Sequence, residues 1–350
     1  MNNENKIKCV VWDLDNTIWE GILSEEDVQV VDANIVHIIK TLDSRGILQS
    51  ISSKNTYERA KEKLVQFGIW EYFIYPQLNW DAKSEAMTII AQKINIGIDT
   101  LAFVDDQEFE LQEVAFTHPQ ILCIHVDQAS KILDMDRMNP KFITCDSQNR
   151  RKMYQNDIQR DMIEKDFCGT KEDFLATLNM VLIIGLAMES DLERMEELTV
   201  RTHQLNSTGY VYSYNELKSF MTSDSHELLV AQLDDKFGEY GKIGLALIER
   251  TERVWDLKLL LMSCRVMAKG VGNVLLNLII NRARKSMVAL HARFVPTEQN
   301  RVMYITYKFN GFKEKERNAA FITMEADLSQ ERQIPTYVQV RALQNCLLAE

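Results

Sequence analysis

Between Lys8 and Val126 five short apolar runs alternate with four stretches patterned for helix. The runs are KCVVW, ILQSIS, YFIYP, TLAFV and ILCIHV. The stretches between them are NIVHIIKTLDSRG, TYERAKEKLVQFG, KSEAMTIIAQKIN and QEFELQEVAFTH. Each run is too short for a helix, and each stretch repeats its apolar residues at helical spacing. Units of this length predict a parallel sheet with helices on both faces. Ligands on such sheets meet the carboxyl ends of the strands. The polar residues that close each run are therefore the first place to look for chemistry.

The first run closes in Asp13-Leu14-Asp15-Asn16-Thr17, and the second in Ser52-Ser53-Lys54-Asn55. Lys83 opens the third helical stretch, and the fourth run closes in Asp105-Asp106. Side chains two apart on a strand share a face, so Asp13 and Asp15 are expected to converge at the sheet edge. Close carboxylates repel unless a cation or a shared proton relieves them. A Mg2+ ion held by carboxylates offsets phosphate charge. A lysine and a hydroxyl bind phosphoryl oxygens. One aspartate can attack phosphorus, and a second can protonate the leaving oxygen and later activate water. Taken singly, an Asp-x-Asp pair is commonly just solvated, and a lysine at a helix start is commonly structural. Four such pieces in order, each at a strand end or helix start, predict a phosphoryl-transfer site. Fewer than forty residues separate Asp15 from Ser53, and about thirty separate Ser53 from Lys83, with helices already filling both gaps. No substantial cap fits there, so an open site is expected, with IWEGILSEED as a small flap.

The stretch 141–175 is charged and reads as a helical connector, leaving a first domain at 1–140 and a second at 176–350. The second domain opens with the strand MVLIIGLA and a long helix, DLERMEELTVRTHQLN. Three β-rich runs follow: ELLVAQLDD, KIGLALIE and VWDLKLLLMSCRV. Then come the helix KGVGNVLLNLIINRARK, the strand VALHARFV, and NRVMYITYKFNGF, a helix followed by a turn. Consecutive strands mixed with helices predict an α+β architecture here, unlike the first domain. The net charge of -11 argues against general nucleic-acid binding, although RRK at 150–152 is a local basic candidate. Six cysteines, at 9, 123, 145, 168, 264 and 346, form no CxxC pair. A disulfide framework or a structural zinc site is not expected, and a reducing cytoplasm is. No apolar run is long and clean enough to span a bilayer, and MNNENKIK has no signal-peptide character.

A second constellation lies in SCRVMAKGVGNVLL, where a strand precedes Gly270-Val271-Gly272 and a helix. Backbone N–H groups at such a turn can cradle a phosphate, helped by the helix dipole, although a tight turn is the commoner reason for the glycines. Cys264 is placed at the end of that strand. It reads either as a buried core cysteine or as an acyl-accepting nucleophile, with Arg265 and the helix N-terminus favouring the thiolate. His203, in RTHQLN, reads as its assistant or as a structural helix residue. Asp235, Gly238 and Tyr240 form a turn that either borders the same pocket or simply connects a hairpin.

DLDNT, SKN, the downstream lysine and FVDD resemble the four motifs of the haloacid dehalogenase (HAD) superfamily. The resemblance implies a Rossmannoid parallel sheet without a cap. It makes Asp13 the nucleophile, Asp15 the acid/base, and Ser53 and Lys83 phosphate binders, with Thr17, Lys54 and Asn55 beside them. It also implies Mg2+ on Asp13, on the backbone carbonyl of Asp15, and on Asp105 or Asp106. In the second domain, strand, glycine turn, helix and strand lead to Asn300, Tyr307 and Gly311-Phe312. That order resembles a GNAT-type acyltransferase fold, which binds the pantetheine arm of coenzyme A. It implies binding roles for Arg265, Gly270, Gly272, Asn300 and Tyr307. Met267 stands where that fold usually carries Arg or Gln, which speaks against ordinary acetyl-CoA use.

Over nearly its whole length the chain resembles the FkbH-like family. The blocks are VWDLDNTIWEGIL, SKN, NIGIDTLAFVDDQEFE, LTVRTHQLN, FGEYGKIG, LLMSCRV and NRVMYITYKFNGF. The resemblance implies a glyceryl transferase. Such an enzyme takes its unit from 1,3-bisphosphoglycerate, removes phosphate and holds the glyceryl group as a cysteine thioester. It then passes the group to the phosphopantetheine arm of an acyl carrier protein in polyketide-type biosynthesis. The family pattern has a cysteine before SKN; here that residue is Ser52, which makes Cys264 the more natural carrier. The alternative is a Mg2+-dependent phosphatase whose second domain only binds a partner.

Overall fold

The structure is a computed structural model that describes residues 6–25 and 30–343. The chain divides into two compact units between Gln159 and Arg160. Glu26, Asp27 and Cys346, which entered the flap and cysteine readings, lie outside the described residues. Among the described residues no helix is long and apolar enough to cross a membrane.

The first unit runs β1 (Cys9–Trp12), α1 (Ala33–Ser44), β2 (Leu48–Ser53), α2 (Tyr57–Gln66) and β3 (Gln77–Leu78). It continues through α3 (Lys83–Ile94), β4 (Leu101–Asp105), α4 (Glu108–Thr117) and β5 (Leu122–His125). The sheet order is β3-β2-β1-β4-β5, and every pairing is parallel. β1 is central because all four of its side chains are apolar and buried. Alternation sends Val10 and Trp12 to one face, against Ile35, Ile39 and Leu42 of α1. Cys9 and Val11 go to the other, against Met87 and Ile90 of α3 and Val114 of α4. Each fully buried Leu or Ile on these faces contributes about 1.5–3 kcal/mol.

The third strand departs from its expected place at YFIYP. Pro76 has no N–H to give a ladder, and Tyr75 sits at φ +50°. Phe73 and Ile74 therefore meet β2 irregularly, through a bridge from Phe73 to Gln49, a bond from Ile74 N to Gln49 O at 2.9 Å and one from Ser50 Oγ to Ile74 O at 2.8 Å. Regular pairing resumes after the proline, at Gln77.

The stretch read as a connector carries α5 (Cys145–Gln148), α6 (Arg150–Asp166) and α7 (Lys171–Thr177), and the division between units falls within α6. The basic run there is no open patch. Arg150 is buried and donates to Gly46 O at 2.5 Å, while Arg151 donates to Asp43 Oδ1 at 3.0 Å and Glu71 O at 2.9 Å.

The second unit continues with β6 (Met180–Leu186), α8 (Leu192–Arg201), α9 (Tyr214–Met221), β7 (His226–Asp235), β8 (Gly238–Arg250) and β9 (Val254–Met262). It closes with α10 (Val271–Lys285), β10 (Ala289–Phe294), α11 (Arg301–Phe309), β11 (Phe312–Arg317), β12 (Ile322–Ala326) and β13 (Val338–Ala342). Its sheet order is β11-β12-β10-β9-β8-β7-β6-β13. The β9–β10 and β6–β13 pairings are parallel and the rest antiparallel. One face packs on α10 and α11, the other on α8 and α9. The α/β class with a parallel first sheet and an α+β second half is thus the one expected from the sequence.

Helix α8 is shorter than the sequence pattern suggests, ending at Arg201. Beyond it Asn206 accepts from the N–H groups of Thr208 (3.0 Å) and Gly209 (2.9 Å), a local turn that competes with helix. The released stretch has a use. β9 and β10 pair only over Val254–Leu257 and Ala289–Ala292 and then part. Leu205–Ser207 enters the gap: Met262 N donates to Leu205 O at 2.9 Å and Ser207 N to Leu260 O at 3.0 Å. On its other side Val295 N donates to Ser207 O at 3.0 Å.

The DDKFGEYGKIG turn is held from within. Asp235 accepts two bonds from Arg160 (both 2.7 Å), one from Tyr240 Oη (2.9 Å) and one from Phe237 N (2.8 Å). The Arg160 guanidinium also lies 4.0 Å from the Tyr240 ring centroid. These bonds make Asp235 and Tyr240 part of a buried structural pin.

Candidate active site

The strand ends of the first unit meet as the parallel register requires. β1 stops at Trp12, and Asp13 extends the ladder by donating its N–H to Val104 O at 2.9 Å. Lys83 Nζ lies 2.7 Å from Asp13 Oδ1 and 2.5 Å from Asp105 Oδ2. All three side chains are almost fully buried. Asp105 Oδ1 accepts from Gln107 N at 2.8 Å, which fixes the turn into α4. Ser53, at the end of β2, faces Asp13 and helps to hold its carboxylate ionised.

Carboxylate oxygens of Asp13, Asp105 and Asp106 lie within 4.8 Å of one another. Asp106 Oδ1 is buried with no hydrogen-bond partner among the described residues. Three carboxylates thus face one ammonium. Burial outweighs the opposing pull of Lys83 and, with a smaller contribution from Asp105, raises the Asp13 pKa to about 7. Burial and then Asp105 also push Asp106 up. Burial alone would lower Lys83, but Asp13 and Asp105 outweigh it and hold its pKa above the usual range. Hard oxygen donors, surplus negative charge and one orphaned oxygen fit a divalent cation such as Mg2+.

Asp15 is not part of that cluster. The strand ends before it, so the shared-face expectation does not apply, and its carboxylate turns toward the flap. Oδ1 accepts from Trp19 Nε1 (2.9 Å) and Leu23 N (3.0 Å), and Oδ2 accepts from Asn55 Nδ2 (2.8 Å). Asn55 also reaches Ser53 Oγ at 3.2 Å. Thr17 is buried, and its hydroxyl finds no hydrogen-bond partner among the described residues. Lys54 points to Glu110 of α4 at 2.5 Å.

Three residues escaped sequence reasoning: Glu110, Glu113 and His125. Helix α3 begins without a side-chain cap of its own. Glu113 of α4 supplies one from outside, accepting from Ser84 N (3.1 Å) and Ser84 Oγ (2.5 Å) beside Lys83. His125 Nε2 donates to Asp106 O at 2.9 Å. Glu110 closes the block NIGIDTLAFVDDQEFE but was given no role, while Glu113 and His125 lie in no motif and only their places on α4 and β5, next to strand ends, hint at them.

In the second unit a cavity of about 170 Å³ opens between the end of β9 and α11. Leu205, Leu260, Met262, Gly270, Asn273 and Thr306 are among its walls. Gly270 opens α10 at φ +72°, and a Cβ there would meet Tyr337 Oη at 2.7 Å. Gly272 lies in the first turn of the helix, against Met262.

Other expected residues are placed differently. Cys264 is not on the strand, which ends at Met262; it starts a short 3₁₀ turn, Cys264–Lys269, and is half-buried. Arg265 donates to Tyr240 O at 2.8 Å. His203 lies past the end of α8 and is exposed, so it is not a helix residue. Asn300 is fully buried and spent on the backbone, donating to Asn206 O (3.0 Å) and Val295 O (2.9 Å) and accepting from Thr297 N (2.9 Å). It holds the loop and offers nothing to a ligand. Tyr307 is fully buried with its hydroxyl facing Ser207 and no well-formed hydrogen bond among the described residues, and burial pushes its pKa above the usual phenol range.

No family model matches the chain. No curated protein matches it either. Among solved structures it is similar to the N-terminal part of the protein BF1531 from Bacteroides fragilis, which contains a phosphatase domain and was crystallised with Mg. Identity there is 29%, the TM-score is 0.32, and the match covers 35% of this chain and 36% of that one. The chain thus spans about a third of that structure. It is also similar to the ribosomal-protein-S18-alanine N-acetyltransferase from Escherichia coli, at 18% identity and TM-score 0.35, covering 43% of this chain and 95% of that one. A third similarity is to the PaiA N-acetyltransferase from Thermoplasma acidophilum in complex with coenzyme A, at 19% identity and TM-score 0.31, covering 41% and 98%.

Proposed function

We propose that the chain is a Mg2+-dependent HAD-type phosphatase joined to an acyl-transfer unit, acting as a glyceryl transferase of the FkbH-like kind. The observation that carries the reading is the meeting of Asp13, Lys83, Asp105 and Asp106, from two strand ends and a helix start, around one buried point. In this reading Asp13 attacks the phosphorus of a phosphomonoester and forms an aspartyl-phosphate, releasing the alcohol. Asp15 protonates the leaving oxygen and later takes a proton from the attacking water. Lys83, Ser53 and the Thr17 hydroxyl hold phosphoryl oxygens, and Asn55 orients Asp15. Asp13, Asp106 and the Asp15 carbonyl, with Asp105 beside them, would hold Mg2+, which when bound offsets phosphate charge.

In the second unit Cys264 takes the 3-phosphoglyceryl group from the acyl phosphate of 1,3-bisphosphoglycerate, and hydrolysis of the remaining phosphomonoester at Asp13 leaves the glyceryl thioester. The carbon–sulfur bond forms as the bond to phosphate breaks. A phosphopantetheine thiol on an acyl carrier protein then displaces the Cys264 thiol. The glycine turn at Gly270 and the cavity behind it support a bound arm of this kind. Intact-protein mass spectrometry tests the reading, with enzyme, Mg2+ and 1,3-bisphosphoglycerate generated in place. A glyceryl adduct is expected on the wild type and absent from Cys264→Ser. Phosphate release with an unmodified protein would instead favour the plain phosphatase with a partner-binding second unit.

The carboxylate cluster also sets a pH dependence. Below about pH 7 Asp13 carries a proton in the metal-free protein, and that proton must leave for a cation to bind. Apparent Mg2+ affinity is expected to rise with pH, by up to about tenfold per unit, and to level off above about 7. Calorimetric titration at several pH values reads this directly; an affinity flat from about pH 5.5 to about 8.5 would contradict it.

A further inference from the structure

The outer face of α11 carries an apolar stripe that the described residues leave exposed. Val302, Ile305 and Phe309 are 37%, 41% and 87% exposed. Their spacing of three and four places them on one side of the helix. Met303 and Tyr307, on the opposite side, are buried in the core. The stripe borders the cavity: Val302 and Thr306 line its wall, and Met267, 38% exposed, stands on the cavity's other lip. Arg301 and Lys308, both exposed, flank the stripe on the side away from the cavity. Asn310, just past the helix, donates to Asn273 Oδ1 at 3.0 Å and so ties this end of α11 to the first turn of α10.

Cavity wall, apolar stripe and basic flank thus follow one another around a single short helix. That order suits a partner with two parts, a slender arm for the cavity and a body for the surface beside it. The body needs an apolar ridge to cover Ile305 and Phe309, and acidic side chains to meet Arg301 and Lys308. An amphipathic acidic helix has both. We propose that the α11 stripe is the docking surface for an acidic, helical carrier protein whose arm enters the adjoining cavity. This rests on the acyl-transfer reading of the second unit and adds to it the face on which the carrier sits.

The test uses the full chain, a stand-alone holo-acyl carrier protein and free pantetheine as acceptors. Phe309→Glu is the main variant; the ring is almost wholly exposed, so folding does not depend on it. Lys308→Glu is the second. Phe309→Glu is expected to raise KM for the carrier about tenfold or more while leaving KM for pantetheine and phosphate release unchanged. Lys308→Glu is expected to weaken the carrier less and to flatten the salt dependence of its KM. A carrier KM unchanged in both variants overturns the proposal, and so does an equal loss with carrier and pantetheine. It is also overturned if the wild type self-associates through this face, with Phe309→Glu separating the copies and leaving carrier binding intact. Direct titration of the holo carrier, with no acyl donor present, separates docking from chemistry. A wild type that transfers no acyl group but binds the carrier, and loses it in Phe309→Glu, overturns the transfer reading and leaves the docking surface standing.

Discussion

Asp13→Asn is expected to reduce Mg2+-dependent phosphate release by about 10⁴-fold or more, the scale on which removal of a covalent nucleophile registers elsewhere. The substitution keeps the size of the side chain, so the ladder bond from Asp13 N to Val104 O has no reason to change. What it removes is the attacking oxygen and one of three clustered carboxylates. Two readouts separate these losses. Rapid-quench trapping of aspartyl-phosphate reports the nucleophile, and Mg2+ titration reports the cluster. Residual turnover within about tenfold of wild type would show that Asp13 is not the nucleophile. Asp15→Asn makes a useful contrast. It leaves Asp13, Asp105 and Asp106 intact, so it is expected to lower turnover with far less effect on Mg2+ affinity.

The second large effect is on stability. Arg160→Met leaves the Asp235 carboxylate, whose side chain is wholly buried, without its bidentate partner. Tyr240 Oη and Phe237 N remain, but neither carries charge. Breaking a buried pair from one side costs about 3–5 kcal/mol. Chemical denaturation followed by far-UV circular dichroism is expected to show a midpoint lowered accordingly for the second unit. A companion variant, Arg160→Met with Asp235→Leu, removes both charges and is expected to recover much of the loss. A single-variant loss below about 1 kcal/mol would mean that water reaches the Asp235 carboxylate after all.

These effects differ in how far the sequence foretold them. The Asp13, Lys83 and Asp105 meeting was readable because a parallel sheet brings its strand ends, and the helix starts that follow them, to one edge. The turn of Asp15 toward the flap was not readable. It depends on Trp19 and Leu23 folding back over the strand end, and no periodicity marks that. The Arg160–Asp235 pin joins residues 75 apart in the chain, and a pairing at that distance has no local signature. Asn300 shows the opposite hazard. Its position in a motif suggested a ligand contact, yet three loop groups take up its amide. The shift of β3 to Gln77–Leu78 followed from one proline inside an otherwise convincing apolar run. Cys264 moved from a strand end to a 3₁₀ turn because β9 stops two residues earlier, and strand ends are the least certain part of any such reading.

The Leu205–Ser207 insert bears on how this protein can be engineered. On a secondary-structure diagram the segment between α8 and α9 is a helix-to-helix connection, the kind of place where tags, split points and new termini are usually introduced. Its backbone is instead a rung of the sheet, with Asn206 and Ser207 wholly buried between β9 and the chain leaving β10. Cutting or lengthening it at that point would open the sheet from inside. Safer ground lies just beyond, at exposed Gly209 to Val211, where the chain has already left the gap.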